Sequence, residues 1–191
     1  PHSTIEEEDR VSLPVDQAVE REKAKCWTKS SERLVYLKLH GSYAWRAHDG
    51  SEIMVIGHSK TNIIENESLL NWYFSLFKEV LGEAYEEKEK RNLVVIGYGF
   101  RDPHINEVIA NAIQNVRLYV VSPMLPGDFK KRLLPVHAAG AECIPSEEYK
   151  ARNLLWNGLF GYYQTSVEDF YDKNGSLTPT CHAFFRDLGL N

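Results

Sequence analysis

One stretch constrains the fold of this chain more than any other. Leu93–Val94–Val95–Ile96 runs into Gly97–Tyr98–Gly99–Phe100, then Arg101–Asp102–Pro103–His104, and Leu118–Tyr119–Val120–Val121 follows. An apolar run without alternation suits a strand covered on both faces. Asp102 is a favourable N-cap, and Pro103 stands where a missing N–H costs least. Ile105, Val108, Ile109, Ala112 and Ile113 recur at helical spacing and form an apolar stripe. The second apolar run ends at Ser122–Pro123. Strand, loop, helix and strand in this order form a βαβ unit, which implies a right-handed crossover and a parallel sheet. The fold class is therefore α/β, with a parallel sheet flanked by helices.

Around that unit the signals are more local. Leu34–Leu39 is predicted as a strand ending in a tight loop at His40–Gly41–Ser42. Tyr43–Arg46 and Glu52–Ile56 flank His48–Asp49–Gly50–Ser51, and Asp–Gly between apolar stretches predicts a hairpin, closed by Gly57. Over residues 65–83, Leu69, Trp72, Tyr73, Leu76, Phe77, Val80 and Leu81 share one helical face. The hairpin and this helix form an insertion. Glu83–Arg91 reads as a solvated helix end. Further expectations are a helix over Gly127–Leu134, an edge strand over Ala141–Ile144 and a terminal helix over His182–Leu188. Within residues 146–172 the reading is a helix, a turn and a second helix from about Ser166. Residues 1–33 read as a connector with a helix near Asp16–Lys25, a partial N-terminal region before a domain over residues 34–191. The chain lacks an initiating Met, so it reads as part of something longer, with the N-terminal part of the domain missing.

A chain of 191 residues with net charge −5 has length for one ordinary domain and no broadly basic face. That argues against general nucleic-acid or anionic-membrane binding. No apolar run approaches the ~18 residues a membrane span needs. Cys26, Cys143 and Cys181 are dispersed, with no Cys-x-x-Cys pair, so no cysteine-based zinc site and no other metal is expected. Reduced thiols of this kind fit a cytoplasmic location.

In parallel α/β sheets, ligands collect beyond the carboxyl ends of the strands. The ends readable here are His40–Gly41–Ser42, Gly97–Phe100 and Ser122–Pro123. If their strands are neighbours, they converge on one rim and describe a nucleotide pocket, with the helix start after Asp102 as a modest anion site. His40 is the titratable candidate, since an imidazole can move a proton at neutral pH. The plainer reading is a histidine satisfied by backbone at a strand end. His104 reads as a surface or capping residue, with pocket lining the alternative. The histidines show no paired metal-ligand spacing. Ser42 lies near His40 without a Gly-x-Ser-x-Gly elbow, which argues against a serine hydrolase. Trp156, Phe160, Tyr162 and Tyr163 read as core packing rather than a base-stacking platform.

Lys38–Leu39–His40–Gly41–Ser42, followed by Trp45, resembles the Leu-His-Gly-Ser segment of sirtuins and sirtuin-like NAD hydrolases. Val94–Asn106, with its Gly-Tyr-Gly-Phe-Arg-Asp-Pro-His-Ile-Asn run, is similar to the second signature of the bacterial SIR2-like group. Val120–Pro123 resembles its next strand, and Trp156–Tyr163 its Trp-x-Gly and Gly-Tyr-Tyr tail; the resemblance spans about residues 34–165. It implies a Rossmann-like domain that takes NAD as substrate and breaks the nicotinamide–ribose bond, in a group associated with NAD depletion in antiphage defence. It assigns His40 as general base on a ribose hydroxyl. The cofactor-binding set it implies is Gly41, Ser42, Gly97, Tyr98, Gly99, Phe100 and Ser122. A sensor domain or self-association is the partner it suggests beside NAD. Two features of the family are not found here, the Gly-Ala-Gly phosphate loop and the Asn-Tyr-Asp-type motif, and they would lie upstream. The four zinc cysteines of protein-deacylating sirtuins are also missing, which weakens a deacylase reading. The alternative function is a non-catalytic module that binds a nucleotide, an ADP-ribose derivative or a partner.

Overall fold

The computed structural model describes residues 37–46, 52–55, 60–82, 90–135 and 145–190. The chain divides into two compact units between Val80 and Leu81.

In the first unit, β1 (Gly41–Arg46) pairs antiparallel with β2 (Glu52–Met54), as the Asp–Gly signal predicts. The predicted turn residues 47–51 and Gly57 lie outside the described residues. The strand expected over 34–39 is not found where the chain is described: Leu37 and Lys38 are irregular, and Leu39 and His40 are in a turn. The Gly41 N–H closes that turn on the Lys38 carbonyl at 3.0 Å. Gly41 has φ 79°, a left-handed conformation that glycine adopts without a Cβ penalty. The turn thus precedes the strand instead of ending one. Two helices follow, α1 (Lys60–Asn66) and α2 (Ser68–Gly82), where a single helix over 65–83 is expected. The buried face of α2 carries Leu69, Leu70, Tyr73, Phe74 and Leu81. Tyr73 stacks on Trp45 of β1, with parallel rings 5.5 Å apart, and Lys38 Nζ lies 5.3 Å from the Trp45 ring centroid.

The second unit is built on a parallel sheet of order β3–β4–β5, from β3 (Arg91–Ile96), β4 (Val116–Ser122) and β5 (Leu159–Gln164). This is an α/β, Rossmann-like arrangement. The crossover from β3 to β4 is α3 (Pro103–Asn111), with Pro103 in its first turn as predicted. Between β4 and β5 come α4 (Pro126–Leu133) and α5 (Ser146–Asn157); the edge strand expected over Ala141–Ile144 lies outside the described residues. After β5 there is one 3₁₀ turn, Glu168–Phe170, and then α6 (Pro179–Asp187), capped by the Thr178 hydroxyl. The second helix expected from Ser166 is therefore only that turn, and residues 159–164 form a strand that the sequence reading lacks.

Strand alternation divides the core in two. Tyr119 and Val121 of β4 pack with Phe170, Cys181, Phe184 and Leu188 on the α6 side. Leu118 and Val120, buried too, point to the other face, where α3 packs on α5. Aromatic contacts repeat the division: Tyr163 meets Phe184 edge-on, whereas Tyr162 faces Phe129 of α4. Cys181 is a free, buried thiol, and Cys26 and Cys143 lie outside the described residues. Among the described residues no helix is long and apolar enough to cross a membrane.

Candidate functional site

β3 and β4 are parallel neighbours in unbroken register from Arg91 opposite Val116 to Ile96 opposite Val121. Their carboxyl ends therefore deliver Gly97–Phe100 and Ser122 to one edge, as the βαβ reading requires. His40, Gly41 and Ser42 belong to the first unit, on its two-stranded antiparallel sheet. They are not the carboxyl end of a strand in the parallel sheet.

The β3–α3 loop is open at one end and anchored at the other. Gly97 has φ 69°, and a Cβ there would meet nothing within 4 Å. Glycine at this position answers a conformational need, and the space beside it is free. Phe100 ends the loop with φ 53°, a strained value for a bulky residue, and its side chain is only 2% exposed. Its ring packs against Tyr98 at 4.8 Å and edge-on against Phe129 at 5.6 Å. Phe129 also meets Tyr162 at 5.2 Å and Trp156 at 6.4 Å, so one ring of α4 ties the loop to β5 and α5. Phe100 is thus a buried anchor, and any contact it makes with a ligand must come through its backbone.

Asn106 completes the anchor, a role the sequence alone does not assign it. Its side chain, fully buried in α3, donates from Nδ2 to the Phe100 carbonyl at 3.0 Å. Its Oδ1 accepts from the Tyr98 hydroxyl at 3.0 Å, and that hydroxyl also lies 3.2 Å from the Asp102 carbonyl. Burial, reinforced by the Asp102 carboxylate, raises the Tyr98 pKa well above a phenol's ordinary value. Tyr98 is therefore a fixed neutral donor. The signal that could have identified Asn106 is a polar residue on the apolar stripe of α3, between Ile105 and Val108. Asp102 occupies the N-cap position, but its side chain makes no cap bond; its carbonyl accepts from the N–H groups of Ile105 and Asn106. His104 is 6% exposed, so the surface placement expected for it is wrong. In the first turn of this helix His104, Ile105 and Asn106 are buried, whereas Pro103 is exposed.

The second loop of this edge is held by Ser122. Its Oγ accepts from the Met124 N–H at 3.3 Å, and its carbonyl accepts from the Thr165 N–H at 3.1 Å. The Tyr162 hydroxyl donates to the Met124 carbonyl at 2.8 Å. The Arg132 guanidinium lies beside Gly99, where a Cβ would be 3.4 Å from its Nη2 and 3.7 Å from the aliphatic Cγ of Arg101. Arg132 in turn reaches Met124 Sδ at 3.6 Å, which places its guanidinium between the two loops. The Arg132 guanidinium beside the Gly99 backbone is a setting for phosphate oxygens.

In the first unit, His40 is half-buried, and its carbonyl accepts from the Val55 N–H at 2.9 Å, so its backbone is part of the hairpin. Gly41 opens β1 opposite Met54, and Ser42 follows within β1. Of the aromatic group expected in the core, Trp156, Tyr162 and Tyr163 pack as described, but Phe160 is 64% exposed. Among the described residues no three His, Cys, Asp or Glu side chains gather to hold a metal ion.

A family model described as a SIR2-like domain matches residues 6–132. The matched span takes in both loops, the hairpin with His40 and residues ahead of them; it stops before Trp156–Tyr163. Neither the curated proteins nor the solved structures contain a match to the chain.

Proposed function

We propose, because this chain belongs to the SIR2-like domain family, that it binds NAD at the carboxyl edge of β3 and β4 and hydrolyses its nicotinamide–ribose bond. The observation that carries the reading is the β3–α3 loop, free of neighbours at Gly97 and locked through Phe100 and Asn106. Such a loop lets a dinucleotide approach the backbone without the loop having to reorganise. Gly97, Tyr98, Gly99 and Phe100 would present main-chain groups, Ser122 would bound the adenosine end, and Arg132 and Arg101 would face the pyrophosphate. The family resemblance adds Gly41 and Ser42 of the first unit to the NAD-binding residues.

In the reaction, the bond from nicotinamide nitrogen to ribose C1′ breaks and a water oxygen bonds to C1′. The products are nicotinamide, ADP-ribose and a proton. The transition state carries positive charge at C1′, and His40 as base on a ribose hydroxyl would help disperse it. General base catalysis of this kind is worth about 10²–10⁴-fold; positioning must supply the rest. NAD depletion in antiphage defence is the biological role this activity would serve.

The test is nicotinamide release from NAD by the parent protein and by His40→Ala. A loss of roughly 10²–10⁴-fold, with an NAD-induced rise in Tm retained, supports the assignment. Equal turnover removes His40 from the reaction. A rise in Tm with NAD but no nicotinamide from the parent selects the non-catalytic binding module instead.

A further inference from the structure

The amino edge of the parallel sheet, opposite the loops just described, carries a second set of ligand-binding features. The strands start there at Arg91, Val116 and Leu159. Beside those starts lies a cavity of about 550 Å³, lined among others by Lys90, Gln114, Arg117, Asn157 and Phe160. That volume is in the range of small-molecule sites, roughly 300–1,000 Å³. The seven residues of β4 separate it from Ser122 by about 20 Å, so the two edges are different places.

Two observations distinguish this cavity from a passive crevice. Leu118 pairs with Leu159 and Tyr119 with Gly161, which leaves Phe160 as the extra residue of a bulge. A bulge re-aims its side chain, and bulges concentrate beside functional sites. Here the result is a large aromatic ring left 64% exposed at the cavity wall. The second observation is charge. Lys90 and Arg117 both line the cavity, and neither has a carboxylate partner among the described residues. The Arg117 guanidinium lies 5.7 Å from the Phe160 ring centroid, so cation and ring form one surface. Gly158 shapes the wall: a Cβ there would fall 2.0 Å from Ile113 Cγ1, so α5 can end this close only on glycine.

We propose that this cavity binds a mononucleotide, with its phosphate between Lys90 and Arg117 and its base on the Phe160–Arg117 surface. A bare anion would use the cations and leave the ring in water. An apolar ligand would make no use of the two cations. A planar base carrying a phosphate uses both, and Gln114 and Asn157 add amide groups for its polar edge.

The probe is AMP, titrated calorimetrically into the parent protein, Lys90→Gln, Arg117→Gln, Phe160→Leu and, as an exposed cation outside both sites, Lys173→Gln, with adenosine and inorganic phosphate as partial ligands. Folding of each variant is checked by Tm, and amide shifts of Gln114 and Gly158 on AMP addition report the place of binding. The expected result is AMP binding weakened about tenfold by Phe160→Leu, the order of one lost base stack. A comparable loss is expected in Lys90→Gln and Arg117→Gln, no change in Lys173→Gln, and weaker binding of both partial ligands. AMP affinity insensitive to all three cavity variants, or AMP binding that leaves the Gln114 and Gly158 amides unshifted, overturns the proposal. Inorganic phosphate binding as tightly as AMP, with Phe160→Leu neutral, overturns the nucleotide assignment.

Discussion

Asn106 is wholly buried in α3, yet both ends of its amide are spent on the β3–α3 loop, one on the Phe100 carbonyl and one on the Tyr98 hydroxyl. Asn106→Ala would leave the buried Phe100 carbonyl without its donor, while the Tyr98 hydroxyl keeps the Asp102 carbonyl, and a buried unsatisfied group costs about 1–3 kcal/mol. Urea unfolding should show a loss of that order, and Phe100, held at φ 53°, should give its loop away first in amide exchange. Unchanged protection of the loop would show that packing on Phe129 alone holds it. Asp169 supplies a pH signature. Its Oδ2 accepts from the Ser166 N–H at 2.8 Å and the Thr165 hydroxyl at 3.1 Å, and these bonds hold its carboxyl below the ordinary range. A depressed carboxyl stabilises the fold above the unfolded value of about 3.9 and stops doing so as pH falls through the folded value. Asp169→Asn should therefore lower Tm near neutrality, and the gap to the parent should close in acid. A gap that persists at low pH would assign the effect to shape rather than charge.

Element by element, a clear structural demand for a small residue is where α5 hands over to β5. A methyl group on Gly158 would sit 2.0 Å from Ile113 Cγ1 and 2.7 Å from its Cδ1. Gly158→Ala should cost about 1–3 kcal/mol by overpacking. In a double-mutant cycle with Ile113→Ala the costs should fall short of additivity, because the smaller side chain makes the room the methyl needs. Strict additivity would place the clash elsewhere. This junction also shows what the sequence conceals. β3, α3 and β4 are legible because their cues are local: continuous apolar runs, Pro103 in the first helical turn, and a stripe from Ile105 to Ile113. β5 is not, because Leu159–Gln164 contains Gly161 and no alternation, and its extended form comes from pairing with β4. Tyr119 covers Gly161, with its Cδ1 2.6 Å from where a Cβ would lie, a cross-strand relation no short window displays. At the site, Gly97 and Ser122 were legible as strand ends. The anchoring by Asn106 and Phe129 was not, since it joins residues from separate elements.

At the scale of the whole molecule, the division between Val80 and Leu81 separates the proposed base from the proposed nucleotide edge. His40 lies in the first unit, and Gly97–Phe100 and Ser122 lie in the second, which has its own parallel sheet and a core on both faces. A fragment of residues 81–191 should accordingly fold with a single cooperative urea transition, since its main core contacts are internal to it. It should show an NAD-dependent rise in Tm and release no nicotinamide, because the loops that would seat the dinucleotide remain while the imidazole is gone. Turnover by the fragment would exclude His40 as the base. A fragment that folds without responding to NAD would place the dinucleotide mainly on the first unit, and the β3–β4 edge would then need another ligand to account for its open loop and flanking arginines.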